Sequence, residues 1–305
     1  MSHNSILKTL VSVFAVILIT ACGSVANFTS KDTFQGIRIG DKAELIRFPI
    51  TYYTNDETPV VLLTSPLIFT DTELYEGEHT RLIPWLNSRG FTVFLVRPSK
   101  GRDLNDLSSA LPEALKEVRE LSRGSRIVLG GLSLGGQAAL EFLLTESAET
   151  RFLSRVFFLG TGFDYEYPGS FLRRMTNEKW PGSCSSATSL CSLYLQSKEE
   201  KGRSLKPGNI QNAKLNFDSQ KSVLRRLSLP AAFIGGKIDS LAPTEAWFNT
   251  FKTYGEVSRS TQKLYFAAGE DNFLSTDYDH AMLFSSKSAA SEIFPIVQKW
   301  VLQTK

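Results

Sequence analysis

Ser133 stands between glycines in the run Gly130-Gly131-Leu132-Ser133-Leu134-Gly135-Gly136. A serine hydroxyl is a weak nucleophile until a base takes its proton. The chemistry open to Ser133 is therefore acyl transfer through a covalent intermediate, given a histidine to take the proton and a carboxylate to orient that histidine. The chain has three histidines. His3 lies in the N-terminal segment, His79 lies early, and His280 lies far downstream in "DYDHAMLF". Among the carboxylates, Asp239 follows the apolar run 231–234 through "GGKIDSLAP", while Asp164, Asp271, Asp277 and Asp279 are rivals. Asp239 has a second reading as the cap of a helix beginning near Pro243.

These residues need elements to hold them. Short apolar runs alternate with helical patterns after residue 35. Residues 37–39 and 44–52 read as an opening hairpin. Residues 60–63, 91–96, 126–129, 156–159, 231–234 and 263–266 read as strands, several of them apolar without alternation, as strands buried on both faces are. Helical spacing marks 81–88, 108–121, 135–144, 244–254 and 289–302. In 108–121, Leu111, Leu115, Val118 and Leu121 share one face. Strands alternating with helices imply an α/β fold, a mostly parallel central sheet with helices on both faces. The rhythm breaks over residues 163–228, which read as a cap insertion within a single domain spanning 36–305.

In an open parallel sheet, sites form beyond the carboxyl ends of the strands. Ser133 follows one such strand and precedes a helix. Gly131 and Gly135 remove side chains that would crowd a sharp turn there, and the helix N-terminus favours negative charge developing beside the serine. This context resembles the nucleophile turn of the α/β-hydrolase superfamily, and the resemblance covers nearly all of residues 45–305. It implies the chain order serine, acid, histidine, and hence Ser133, Asp239 and His280 as catalytic residues. Within the superfamily, "LNSRGFTVFLVRPS", "GFDYEYPG" and "LPAAFIGGKIDSLAPT" resemble the polyhydroxyalkanoate synthase and depolymerase branch. The synthases carry cysteine as nucleophile, so serine at position 133 points toward hydrolysis.

The resemblance also implies an oxyanion hole made of two backbone N–H groups, one from Leu134. Many family members carry His-Gly after the first long buried strand, whereas this chain reads Leu63-Thr64-Ser65-Pro66-Leu67. Pro66 has no N–H to give. The second donor is then Leu67, Ser65 or the Thr64 side chain.

The N-terminal 21 residues read as a signal peptide. The apolar run 10–19 is too short for a membrane span, which needs roughly 20 residues. It closes on Leu18-Ile19-Thr20-Ala21-Cys22-Gly23, which resembles the bacterial lipoprotein signal and implies cleavage before Cys22 and lipid on that residue. Residues 22–35 are then a tether. The expected location is the cell envelope, at the periplasmic face of the outer membrane. Export makes a local disulfide between Cys184 and Cys191 the expected state. No histidine lies near them, so they do not read as a metal site, and no metal or organic cofactor is expected.

The chain of 305 residues is 42% hydrophobic and 21% charged, with a formal net charge of +3. That is ordinary globular composition, and without a long basic run it gives nucleic acid no footprint. The insertion is locally basic, with 11 Lys or Arg against 6 Asp or Glu. Of its aromatic residues, Phe163, Tyr165, Tyr167, Phe171 and Trp180 read as the packing of the cap itself, with the lining of an acyl pocket as the alternative. The expected partners are a small-molecule or lipid ester and, through the N-terminal anchor, a membrane. Amide or thioester hydrolysis and acyl transfer use the same residues. A non-catalytic envelope binding protein on the same fold is the alternative of a different class.

Overall fold

The computed structural model describes residues 36–48, 58–66, 72–75, 80–99, 104–163, 217–258 and 261–303. The chain opens with β1 (Gly36–Ile39), β2 (Ala43–Phe48) and β3 (Val60–Thr64). Next come α1 (Thr72–Tyr75), α2 (Leu82–Asn87), β4 (Val93–Pro98), α3 (Leu104–Leu121), β5 (Ile127–Leu132), α4 (Gly135–Leu144) and β6 (Leu153–Leu159). The C-terminal part holds α5 (Phe217–Arg226), β7 (Ala231–Gly236), α6 (Thr244–Thr253), β8 (Lys263–Ala268), α7 (Met282–Ser285), α8 (Lys287–Glu292) and α9 (Phe294–Leu302).

The eight strands among the described residues form one sheet in the order β1-β2-β4-β3-β5-β6-β7-β8. The β1–β2 and β2–β4 pairs are antiparallel, and from β4 to β8 every pair is parallel. Successive strand side chains point to opposite faces, so each apolar strand feeds two cores. On one face, Leu62, Phe94, Leu129, Phe158 and Phe233 pack with α3, α4 and Trp247 of α6. On the other, Val61, Leu63, Leu95, Val128, Phe157 and Ile234 pack with α2, α8 and α9. This two-sided burial accounts for the lack of alternation in the strands.

Two helices differ from expectation. Helix α3 begins at Leu104, not 108, and runs through Pro112. Leu107, Ala110, Leu111 and Ala114 are buried on both sides of the proline, and their packing offsets the backbone hydrogen bond that proline lacks. The expected closing helix over 289–302 is two helices. Ile293, fully buried, ends α8, and Pro295 sits in the first turn of α9, where a missing N–H costs nothing.

The insertion's two described ends belong to the body of the domain. Phe163 packs edge-on against Phe158 at 5.0 Å, and Leu224 of α5 joins the same core. Residues 164–216 lie outside the described residues, and with them Asp164, the remaining cap aromatics, Cys184 and Cys191. The N-terminal segment with Cys22 lies outside them too. Among the described residues, no helix is long and apolar enough to cross a membrane.

Tyr254, at the end of α6, is wholly buried and donates its hydroxyl to Leu229 O at 2.9 Å. Burial pushes its phenol well above the ordinary value of 10.0. An acid whose folded pKa is raised contributes stability below the unfolded pKa and loses it as pH rises further. The unfolding free energy should therefore hold up to about pH 10 and then fall by about 1.4 kcal/mol per pH unit from this residue alone. Urea unfolding from pH 8 to 12 checks this, and Tyr254→Phe should flatten the alkaline slope.

Candidate active site

Strand β5 delivers Ser133 onto a turn with φ 49°, in the left-handed region. Such a conformation costs energy for a residue other than glycine and persists only where the surroundings enforce it. The Ser133 N–H donates to Leu159 O of β6 at 2.9 Å, and Ser133 O accepts from Gly136 N–H at 3.0 Å. The turn is thus tied to the neighbouring strand on one side and to α4 on the other.

Glycine is needed at 135 because α4 starts against the end of β3. A Cβ there would lie 2.2 Å from Ser65 O. Gly135→Ala is expected to push the Thr64-Ser65 segment away from the helix N-terminus. The loss of stability should be roughly 1–3 kcal/mol, readable as a shift in the urea midpoint.

Asp239 lies in the turn after β7. Its Oδ1 accepts the N–H groups of Leu241 at 2.9 Å and Ala242 at 2.8 Å, just ahead of α6. Its Oδ2 faces His280 Nδ1 at 2.6 Å. Oδ1 thus holds the turn and Oδ2 the histidine; the helix itself starts from Pro243 without a side-chain cap, so Asp239 is not its cap. His280 follows β8 through a long loop, and its Nε2 lies 2.8 Å from Ser133 Oγ. Ser133, Asp239 and His280 are 3%, 3% and 2% exposed, so this chain of hydrogen bonds is buried along its whole length. With a carboxylate on Nδ1, that nitrogen carries the proton and Nε2 is left to accept one from Ser133.

The rival carboxylates among the described residues, which leave out Asp164, are engaged elsewhere. Asp271 pairs with Lys237 at 2.6 Å, and Asp277 pairs with it at 3.5 Å while accepting the Glu270 N–H. Asp279 Oδ1 accepts the Met282 N–H at 2.8 Å at the start of α7. His79 lies outside the described residues.

At the oxyanion position, the Leu134 N–H donates to no group among the described residues. It stands at the N-terminus of α4, where free backbone donors and the helix dipole attract negative charge. Two of the three candidates for a second donor are already in use. The Ser65 N–H donates to Val96 O at 2.9 Å, and the Thr64 hydroxyl donates to Gly130 O at 3.2 Å. Leu67 lies outside the described residues. Among the described residues, no group of three or more His, Cys, Asp or Glu could hold a metal ion.

Gln137 escaped the sequence reading. It is fully buried on the first turn of α4 and donates its amide to Gly162 O, pinning the segment after β6 to the helix that follows Ser133. Its signal was a polar residue among the small residues that open the helix. Tyr278 and Glu292 escaped as well, and nothing in their local sequence marks them.

No protein-family model and no curated protein sequence matches the chain. Solved structures do. A soluble variant of monoglyceride lipase from Saccharomyces cerevisiae, in complex with a substrate analog, is 12% identical with a TM-score of 0.61, over 92% of this chain and 98% of that one. A thermophilic esterase from Thermogutta terrifontis is 16% identical with a TM-score of 0.53, over 88% and 98%. The chain has the α/β-hydrolase fold. A bromoperoxidase from Bacillus anthracis shares it at 14% identity and a TM-score of 0.56, over 89% and 100%. The α/β-hydrolase fold therefore hosts more than one chemistry, and the reaction has to be argued from the site.

Proposed function

We propose that this chain is an exported, lipid-anchored serine hydrolase that cleaves carboxylic esters. The observation that carries the chemistry is the buried relay from Ser133 Oγ to His280 Nε2 at 2.8 Å and from His280 Nδ1 to Asp239 Oδ2 at 2.6 Å. Ser133 Oγ attacks the ester carbonyl carbon as its proton passes to His280 Nε2. The carbonyl π electrons move to oxygen, and the Leu134 N–H faces that oxyanion. The second donor is the Leu67 N–H, the candidate left once Ser65 and Thr64 are engaged. The oxyanion collapses, the C–O bond to the alcohol breaks, and His280 returns its proton to the departing alkoxide. Water then repeats the sequence on the acyl-enzyme, giving the acid and regenerating Ser133. Asp239 holds the Nδ1–H tautomer and stabilises the imidazolium throughout.

An ester substrate is supported by the lipase and esterase among the structures of the same fold. It is also supported by serine, not cysteine, at 133 in a chain resembling the polyhydroxyalkanoate synthase and depolymerase branch. Export and anchoring rest on the signal ending at Cys22, and the Cys184–Cys191 disulfide follows from export. Substrates are small-molecule or lipid esters met at the membrane that the anchor occupies.

A fluorophosphonate probe tests the reaction. The adduct should map to Ser133 within tryptic peptide 127–151, and a well-folded protein that takes no label would instead be a binding protein on this fold. Palmitate incorporation that disappears in Cys22→Ser tests the anchor.

A further inference from the structure

His280 stands near the end of the loop over residues 269–281, between β8 and α7, and a loop alone does not hold a side chain to a fraction of an ångström. The first tie is through the backbone of Tyr278. Its N–H donates to Ala268 O at 3.2 Å, and its carbonyl accepts the Ile238 N–H at 3.1 Å. Ile238 immediately precedes Asp239. The Tyr278 peptide therefore joins the turn that carries the acid to the loop that carries the histidine. Gly236 makes the crossing possible, since a Cβ there would lie 2.3 Å from Tyr278 O.

The second tie is through the side chain. Tyr278 is fully buried, and its hydroxyl donates to Glu292 Oε2 at 2.7 Å. Glu292 Oε1 accepts the Ser275 N–H at 3.1 Å. One carboxylate thus grips the histidine loop at two points. It is the last residue of α8, a helix capped by the Ser286 hydroxyl and seated in the core by Ala289 and Ile293. Partial burial pushes the Glu292 carboxyl up, but the hydrogen bonds from Tyr278 and Ser275 outweigh it and hold the group below its ordinary value. Burial pushes the Tyr278 phenol up to about 12. A protonated phenol donating to a carboxylate is a charge-assisted bond, stronger than a neutral one. Of the other ties on this loop, those of Lys237 with Asp271 and Asp277 lie toward solvent and are screened, while the Asp279 bond to the Met282 N–H fixes the loop to α7 and not to the turn of the acid.

We propose that Glu292 is a positioning residue, acting through Tyr278 to set His280 against Asp239 and Ser133. This rests on His280 being the base of the proposed hydrolase. Without the grip, the His280–Asp239 bond loosens and the imidazolium is less stabilised.

The test uses the full chain with labelled histidine. With three histidines in the chain, the His280 signals are few enough to assign. Glu292→Gln keeps the shape but turns one acceptor into a donor, and Tyr278→Phe removes the hydroxyl alone. Each is expected to move the His280 Nδ1–H proton resonance upfield, as its bond to Asp239 lengthens, and to lower kcat for a short ester by roughly 10- to 100-fold, with KM little changed. The double variant should be no worse than either single one, because both cut the same tie. A purely structural role would lower the unfolding midpoint and leave the His280 Nδ1–H resonance where it was. An unchanged Nδ1–H resonance in folded Tyr278→Phe or Glu292→Gln overturns the proposal. The NMR measurement needs no substrate, so the positioning role can hold even where esters are not turned over.

Discussion

Ester turnover by Ser133→Ala is expected to fall by roughly 10⁶-fold, to a residual rate set by substrate binding and the oxyanion donors. The substitution removes one atom, Oγ, which lies 2.8 Å from His280 Nε2. The turn should survive, because its backbone bonds to Leu159 O and from Gly136 N–H do not involve the side chain. Alanine bears the same backbone cost as serine at φ 49°. The unfolding free energy should therefore stay within about 1 kcal/mol of the parent, the loss of one buried hydrogen bond. His280→Ala should cost a similar factor, and the double variant should be no slower than either, since nucleophile and base act as one unit. Single-turnover assays with a chromogenic ester check both points. A Ser133→Ala enzyme retaining more than about a hundredth of the parent kcat would move the nucleophile elsewhere.

What the sequence revealed of this site follows how local each signal is. The Ser133 turn was legible because every part of it, the buried strand, the flanking glycines and the small-residue helix, lies within about a dozen residues. The strand series was legible because two-sided burial leaves apolar runs without alternation. Asp239 could be chosen over its rivals only through chain order and strand position. The structure adds the physical reason: Asp271 and Asp277 are drawn to Lys237, and Asp279 caps α7.

Long-range ties were hidden. Glu292 is separated from Tyr278 by two helix starts, and no periodicity links them. The break at Ile293 was missed because residues 289–302 keep a helical pattern across it, and the deciding feature, Pro295 at a helix start, is permissive as well as disruptive. The oxyanion question was visible as the departure "TSPL", but only strand pairing could assign the Ser65 N–H to β4 and the Thr64 hydroxyl to β5.

Asp239→Asn is the second large effect, and the direction follows from the two N–H groups on Oδ1. Leu241 and Ala242 donate to that oxygen at 2.9 and 2.8 Å. An asparagine must turn its carbonyl oxygen to them, because an amide NH₂ placed there would set donor against donor. The NH₂ then faces His280 Nδ1, where the carboxylate stood at 2.6 Å. A donor at that place demands a lone pair on Nδ1, so the proton moves to Nε2. Nε2 then cannot accept the proton of Ser133. The expected loss in kcat is about 10⁴-fold with the fold intact, because the turn keeps both its hydrogen bonds. Nitrogen NMR of His280 should report the proton on Nε2 in the variant and on Nδ1 in the parent. Asp239→Ala differs in a telling way: it frees the Leu241 and Ala242 N–H groups and should also lose stability, by about 1–2 kcal/mol. An Asp239→Asn enzyme slowed by less than about tenfold would show that the tautomer of His280 is held by something other than Asp239.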